Sequence, residues 1–335
     1  MSSSLSYIFH SGKNSKLPYF LRNFIRYAVP QGWCRLSAAQ IEKMLDGRAD
    51  KEYILDRVNY YCKLDHTTPL PADAPALADH KYGTRDYPSV YFFDTYEFTR
   101  HFPKSLHWCH CFGDVTFVPD APSIVKSRPL CDDNANSVVL NLDKVRHFVF
   151  IDDNTPFESK EDKAIFRGEV RVKERRIEFM KRYFGNPRVE AGDVTPDAIR
   201  PRYGLPEEWR CEQISLFDHL KYKFILALEG NDVASNLKWV MSSRSLAVMP
   251  RPTCETWFME GRLVPNVHYV EIKPDYSDLE ERMQYYIDHP AEANEIIRNA
   301  HAYIDQFRDK KRERLISLLV LKKYFEMTGQ GDALR

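Results

Sequence analysis

The second half of the chain alternates short apolar runs with segments of helical spacing, and residues 221–250, KYKFILALEGNDVASNLKWVMSSRSLAVMP, show the pattern most fully. An apolar run at 224–228 has the length of a buried strand, and Gly230 and Asn231 then signal a turn. Val233, Leu237 and Val240 recur at helical spacing within 232–242, and a second apolar run at 246–249 stops against Pro250 and Pro252. The order strand, turn, helix, parallel strand is that of a nucleotide-binding βαβ unit, whose helix start would face an anion beyond the first strand. Residues 164–184 predict a short strand, Gly168 and a basic helix, and 185–210 predict loops around four prolines. A strand at VHYVEIK, helices at YSDLEERMQYYIDH and PAEANEIIRNAHAYIDQF, and a last helix over 309–327 complete a doubly wound pattern.

The first half is less regular. Residues 17–64 carry helical periodicity, with Ser37 and Gln40 placed as a capping box. Arg22 and Arg26 fall among Phe20, Leu21, Phe24 and Ile25, which predicts an amphipathic helix packed on its own domain in preference to one on a membrane surface. The runs VYFFD, LHWCHCF, VTFV, SIVKS, VVLNL and HFVFID are each strand-length, so a strand-rich or α/β domain is expected to end near Asp153.

Composition narrows the function classes. Lys+Arg and Asp+Glu are equal at 48, so there is no basic excess for binding nucleic acid along a track. Seven scattered cysteines do not form a disulfide framework, and residues 1–16 lack the apolar core of a signal peptide, which points to a reducing cytoplasm. No apolar run reaches the ~18 residues of a membrane span.

The candidate chemistry is mostly basic. IFRGEVRVKERR gathers Arg167, Arg171, Lys173, Arg175 and Arg176 beside Gly168, suited to a diphosphate if that strand neighbours the βαβ unit and otherwise a solvated helix face. Lys238 lies in the predicted βαβ helix, able to reach phosphate or solvent. Neither GxGxxG nor GxxxxGK[ST] occurs, so simple dehydrogenase and NTPase readings fall. His107, Cys109, His110 and Cys111 invite zinc, but strand alternation splits them between two faces, and core strand residues are the better account. Asp114 follows Gly113 at a strand end, as a turn former or a base, and Asp152 and Asp153 close VFIDDN as turn residues or as metal ligands.

Four passages, FGDVTFVPDAPSIVKSRP, IFRGEVR, KYKFILALEGNDVASNLKWVMSSRSLAVM and VPNVHYVEIKPDYSDLEERMQYY, resemble glycosyltransferase family 90 over roughly residues 85–305, nearest to its bacterial lipopolysaccharide branch. The resemblance implies a GT-B fold, two Rossmann-like domains facing across a cleft: residues 1–158 on the acceptor side with a helical extension, 159–308 for the donor, and 309–335 a C-terminal helix and tail. It implies an inverting hexose transfer from a nucleotide sugar, with UDP expected, to a lipopolysaccharide or lipooligosaccharide core, without a metal or other cofactor. The protein would work in the cytoplasm with peripheral contact at the inner membrane. Asp114 matches the family's general base. Arg167 and Gly168 match its FRG signature and Arg175 a cation on the diphosphate, while Gly230, Asn231, Ala234, Ser235 and Lys238 match the phosphate and nucleoside segment. Asn236 stands where eukaryotic members place a second arginine, so Lys238 or Arg244 would supply that charge, and Glu255 stands where such enzymes hold ribose. Two other readings are a metal-dependent GT-A enzyme using Asp152 and Asp153, and a non-catalytic nucleotide- or sugar-binding protein of envelope assembly.

Overall fold

The computed structural model describes residues 11–83 and 89–334. The leader reading rests largely on residues 1–10, and the family resemblance begins at 85–88; both stretches lie outside the described residues. The described residues divide into two compact units, one made of 11–14, 146–252 and 261–306, the other of 15–83, 89–145, 253–260 and 307–334. These limits differ from the 158/159 and 308/309 breaks expected from sequence because two later segments pack with the first half. The short strand Cys254–Thr256 pairs with Ser127–Pro129 of that half, and the last helix lies against three of its helices.

The unit built around 146–252 holds the doubly wound sheet. Its strands are β5 (Glu161–Gly168), β6 (Val189–Asp193), β7 (Tyr222–Leu226), β8 (Leu246–Met249) and β10 (Val270–Glu271), in the order β10-β8-β7-β5-β6. All four pairings are parallel. The central strands read as apolar runs because both faces are covered, and Phe166, Phe224, Leu226, Leu246 and Val248 join the core with Phe179, Met180 and Met283 from the helices. Helices Leu279–Asp288 and Pro290–Asp305 form where expected, with Pro290 at the first helical position. Three expectations change. Strand β6 falls inside the supposed loop region, its VEAGD sequence lacking an apolar run. The βαβ helix is only Leu237–Met241, so the five residues from 232 that were expected to be helical form a loop. VFIDDN contains no strand; its Ile151 N–H donates to Ser242 Oγ at 2.9 Å.

The other unit is mainly helical, with helices Lys16–Ala28, Ala38–Asp46, Lys51–Tyr61, Ser89–Thr99 and Lys310–Phe325. The Ser37 capping box forms as expected, with Gln40 N–H donating to Ser37 Oγ and Ser37 N–H to Gln40 Oε1. Its strands are short: β1 (Cys109–Cys111), β2 (Ser123–Val125) and β4 (Ser137–Val139) make a parallel sheet, while β3 (Ser127–Pro129) pairs antiparallel with β9 (Cys254–Thr256). VYFFD is helical rather than extended. In the helix Ser89–Thr99, Phe92, Phe93, Thr95, Phe98 and Thr99 are all buried, so burial on several sides erased the periodicity that would have marked a helix. VTFV and HFVFID also form no strand.

Candidate functional site

The strand order of the larger sheet itself locates a crevice. Read outward from β5, the chain adds β6 on one side and then β7, β8 and β10 on the other, so the winding reverses between β5 and β7. Ligands of doubly wound sheets bind outside the carboxyl ends of the strands at such a reversal. Those ends continue into Gly168-Glu169 and Leu228-Glu229-Gly230.

Arg176 joins the two ends. From the helix Glu174–Tyr183 its guanidinium donates to the carbonyls of Leu228 at 2.7 Å, Glu169 at 2.9 Å and Glu229 at 3.1 Å. Burial lowers its pKa to about 10, so it remains charged at neutral pH. Both glycines leave room for it. A Cβ on Gly168 would lie 3.4 Å from Arg176 Nη1 and 3.1 Å from the Phe166 ring, and one on Gly230 would lie 3.2 Å from Arg176 Nη2. Asp193, buried at the end of β6, supports the same rim by accepting from Val170 N–H at 3.1 Å and Arg200 at 2.6 Å.

Three more cations surround this frame. Arg175 is half exposed and pairs with the Glu229 carboxylate, while Tyr276 Oη donates to the Arg175 carbonyl at 3.0 Å. Arg171 contacts Glu169 with its backbone at φ +35°, a left-handed conformation that few non-glycine residues adopt, and Lys173 lies 3.8 Å from the same carboxylate. The rim therefore gathers cations whose partners include the loop carboxylates Glu169 and Glu229.

Several sequence candidates lie elsewhere. Arg167 faces away from Phe166 along β5, hence away from the helix carrying Arg175, and binds Glu190 at 2.5 Å and the Glu212 carbonyl at 3.1 Å. Ala234 is buried, and Asn231 and Ser235 are exposed on the loop before the short helix. Asn236 turns its amide inward to the Leu226 carbonyl at 2.9 Å, and Lys238 is 0% exposed, so it does not reach solvent. Arg244 precedes β8, at the sheet edge opposite Gly230. There its N–H donates to Asp153 at 2.8 Å. Burial opposes ionisation of Asp153, but Lys160 at 2.8 Å and the N–H groups of Arg244 and Thr155 outweigh it and hold the pKa below the usual carboxylate value. Asp153 is thus tied into an ion pair at the amino-terminal edge of the sheet. Among the described residues, no three His, Cys, Asp or Glu side chains gather as metal ligands would.

In the helical unit, Gly113 has φ +114°, which favours glycine and turns the chain after β1 into Asp114. The Asp114 carboxylate meets the ammonium of Lys126, whose side chain is 1% exposed against 23% for Asp114. Val115 and Ser127 bond each other twice at 3.0 Å and fix this corner. Lys126 thus orients an anion that keeps one side toward solvent. Of the HWCHC group, Trp108 is buried, His110 stacks on Phe112 at 4.3 Å, and His107 Nδ1 lies 2.7 Å from the Ala74 carbonyl, in agreement with packing roles. Glu255, expected at the ribose, belongs to this unit. It is 1% exposed, faces Arg128 across the β3/β9 pair at 2.7 Å, and accepts from Tyr60. Sequence reasoning counted Arg176 only as one of a basic cluster and missed Lys126 and Glu229; the two glycines flanking Arg176 were the available signal.

Comparison with known proteins supplies independent information. Residues 139–326 match the description Glycosyl transferase family 90. The O-glucosyltransferase LpsA of Dichelobacter nodosus is 37% identical over 93% of this chain and 96% of its own length. Protein O-glucosyltransferase 1 of Rattus norvegicus is 26% identical over 44% of this chain and 38% of its own, and protein O-glucosyltransferase 3 of Homo sapiens is 26% identical over 53% and 34%.

Proposed function

The chain belongs to glycosyltransferase family 90 and is a glycosyltransferase; from that premise we propose an inverting enzyme that moves a hexose from a UDP-sugar to a lipopolysaccharide or lipooligosaccharide core. The observation that carries the donor assignment is the rim at the β5/β7 reversal, where Arg176 braces two glycine-containing turns and Arg171, Lys173 and Arg175 stand around them. The unit holding this rim would be the donor domain of a GT-B enzyme, and the unit holding Asp114 its acceptor domain. Glucose, the sugar in the relatives' names, is the first donor to test.

In this mechanism Asp114 takes the proton of the acceptor hydroxyl as its oxygen attacks the anomeric carbon. The bond from that carbon to the diphosphate breaks, and the nucleoside diphosphate leaves with the electron pair. Arg175 exchanges Glu229 for phosphate oxygens, with Arg171 and Lys173 adding positive charge, so leaving-group stabilisation comes from side chains without a metal. The short Leu237–Met241 helix contributes little dipole, and we assign it no phosphate.

The test is transfer from UDP-glucose to a core oligosaccharide, followed by product mass and anomeric configuration. Asp114→Asn is expected to lower turnover by about 10²–10⁴-fold while UDP still binds. Unchanged turnover removes Asp114 as base, and activity lost in EDTA and restored by manganese overturns the metal-free mechanism.

A further inference from the structure

The helix Lys16–Ala28 packs through a mixed side, on which Phe20, Phe24 and Tyr27 meet the rings of Phe93, Tyr82, Phe92 and Tyr96 beside polar Tyr19, Asn23 and Arg26. Tyr19 and Asn23 are its buried residues; Tyr19 donates to Asp94 Oδ1 at 2.9 Å, and Arg26 binds Asn23 Oδ1 at 2.5 Å and Glu97 at 2.8 Å. Its apolar residues Leu17, Leu21, Phe24, Ile25 and Ala28 follow the spacing of one helical face, and that face is open. Leu17 is 77% exposed, Ile25 61%, Leu21 59% and Phe24 43%, although Phe24 also touches Tyr82 and Phe93; Trp33, just beyond, is 84% exposed. Leu17, Leu21, Ile25 and Trp33 take no part in that packing and remain open.

The stretch of chain that carries this face has charge of one sign. From Ser15 to Ile41 there are Lys16, Arg22, Arg26 and Arg35 and no acid, and Lys16, Arg22 and Arg35 are exposed. Beside the helix end lies a cavity of about 330 Å³ lined by Tyr27, Tyr96, Lys81, Arg100 and Lys104. Apolar side chains, a tryptophan and cations on a preformed helix suit the interfacial layer of an anionic bilayer, with rings and aliphatic chains below the headgroups and cations among the phosphates. No helix among the described residues is long and apolar enough to cross a membrane, so the contact lies along the surface.

We propose that the Leu17/Leu21/Phe24/Ile25 face, with Trp33, docks the protein on bilayers containing anionic phospholipid. This deepens the reading of a glycolipid acceptor, because it would hold the enzyme where such an acceptor is anchored, and it can be tested without turnover.

The probe is sedimentation with vesicles of phosphatidylcholine plus phosphatidylglycerol, against phosphatidylcholine alone. The full chain is expected to bind the mixed vesicles, less so in high salt. Acrylamide quenching reads the contact directly, because the other tryptophans, Trp108, Trp209, Trp239 and Trp257, are buried and only Trp33 is open to be shielded. The double variant Leu21→Asp, Ile25→Asp is expected to lose about tenfold or more in partitioning while keeping cooperative unfolding and UDP affinity. Wild-type protein left in the supernatant, or a variant that binds equally well, overturns the proposal. So does a vesicle-free dimer that the double variant splits, since a second copy would then cover the face. Transfer to a soluble core oligosaccharide is measured separately, so failed docking with intact transfer removes only the docking, and failed transfer with intact docking only the assigned reaction.

Discussion

Arg128 and Arg175 each pair with a glutamate, but the first pair is almost wholly out of water and the second is half in it. Arg128 and Glu255 are 0% and 1% exposed, Arg175 and Glu229 50% and 14%. Arg128 is further held by the carbonyls of Tyr60 at 2.7 Å, Ser137 at 3.2 Å and Tyr61 at 3.3 Å. Withdrawing either member of the sealed pair strands a charge in a low-dielectric interior, whereas Arg175 can trade a carboxylate for a phosphate with water filling the gap. Local sequence does not separate them, since an arginine with a glutamate partner distant in the chain can brace a fold or serve a ligand. Exposure makes the difference: Glu255 is sealed into the framework, whereas Arg175 and its carboxylate meet water.

The sharpest way to break this comparison is Arg128→Ala, which leaves Glu255 buried without its cation and is expected to destabilise the protein by about 3–5 kcal/mol in urea unfolding. A loss below ~1 kcal/mol would show that the pair is not sealed in solution. Next comes Arg176→Lys, which keeps the charge but not the planar fork that reaches three carbonyls. A loss of about 1.5–3 kcal/mol is expected, together with a raised KM for the donor; stability lost with KM unmoved would make Arg176 a brace irrelevant to the site. Arg175→Ala is expected to weaken UDP binding about tenfold, which is ~1.4 kcal/mol, and to change stability by less than ~1 kcal/mol. Calorimetry showing the reverse order would exchange the roles of the two arginines.

A separate expected effect concerns pH. Burial alone would raise the pKa of Glu97, but Lys144 and Arg26 bring it down to about 2 from an ordinary 4.5. A depressed carboxylate contributes stability above its unfolded value and loses it as pH falls through the folded one. Stability should therefore decline between about pH 4.5 and 2, and less steeply in Glu97→Gln. Identical acid profiles would remove Glu97 from the account.

The doubly wound sheet was legible because β5, β7 and β8 are covered on both faces and so read as apolar runs, and Pro290 and Ser37 marked helix starts by local chemistry. β6 was not legible, since VEAGD carries no such run, and VYFFD deceived because its helix is buried on several sides. At the site, Gly168, Gly230 and the basic cluster stood out, but strand alternation sent Arg167 to the other face, and nothing local tells that Lys238 is buried. The pairing of Glu255 with Arg128 across β3 and β9 joins residues 127 positions apart, beyond any periodicity argument. The helix Lys16–Ala28 packs on its own unit as expected, but through a mixed aromatic and polar side, because Asp94 and Glu97 on the neighbouring helix give Tyr19 and Arg26 partners while Leu17, Leu21 and Ile25 stay exposed.

Arg176 holds the two turns by main-chain oxygens, which every amino acid carries. Replacements at 169 and 229 can therefore change the side chains of the rim without removing the acceptors that keep it in shape, whereas Leu228 is held by the core. For engineering, the rim's side chains become a property to vary at those two positions, with Gly168, Arg176 and Gly230 kept constant.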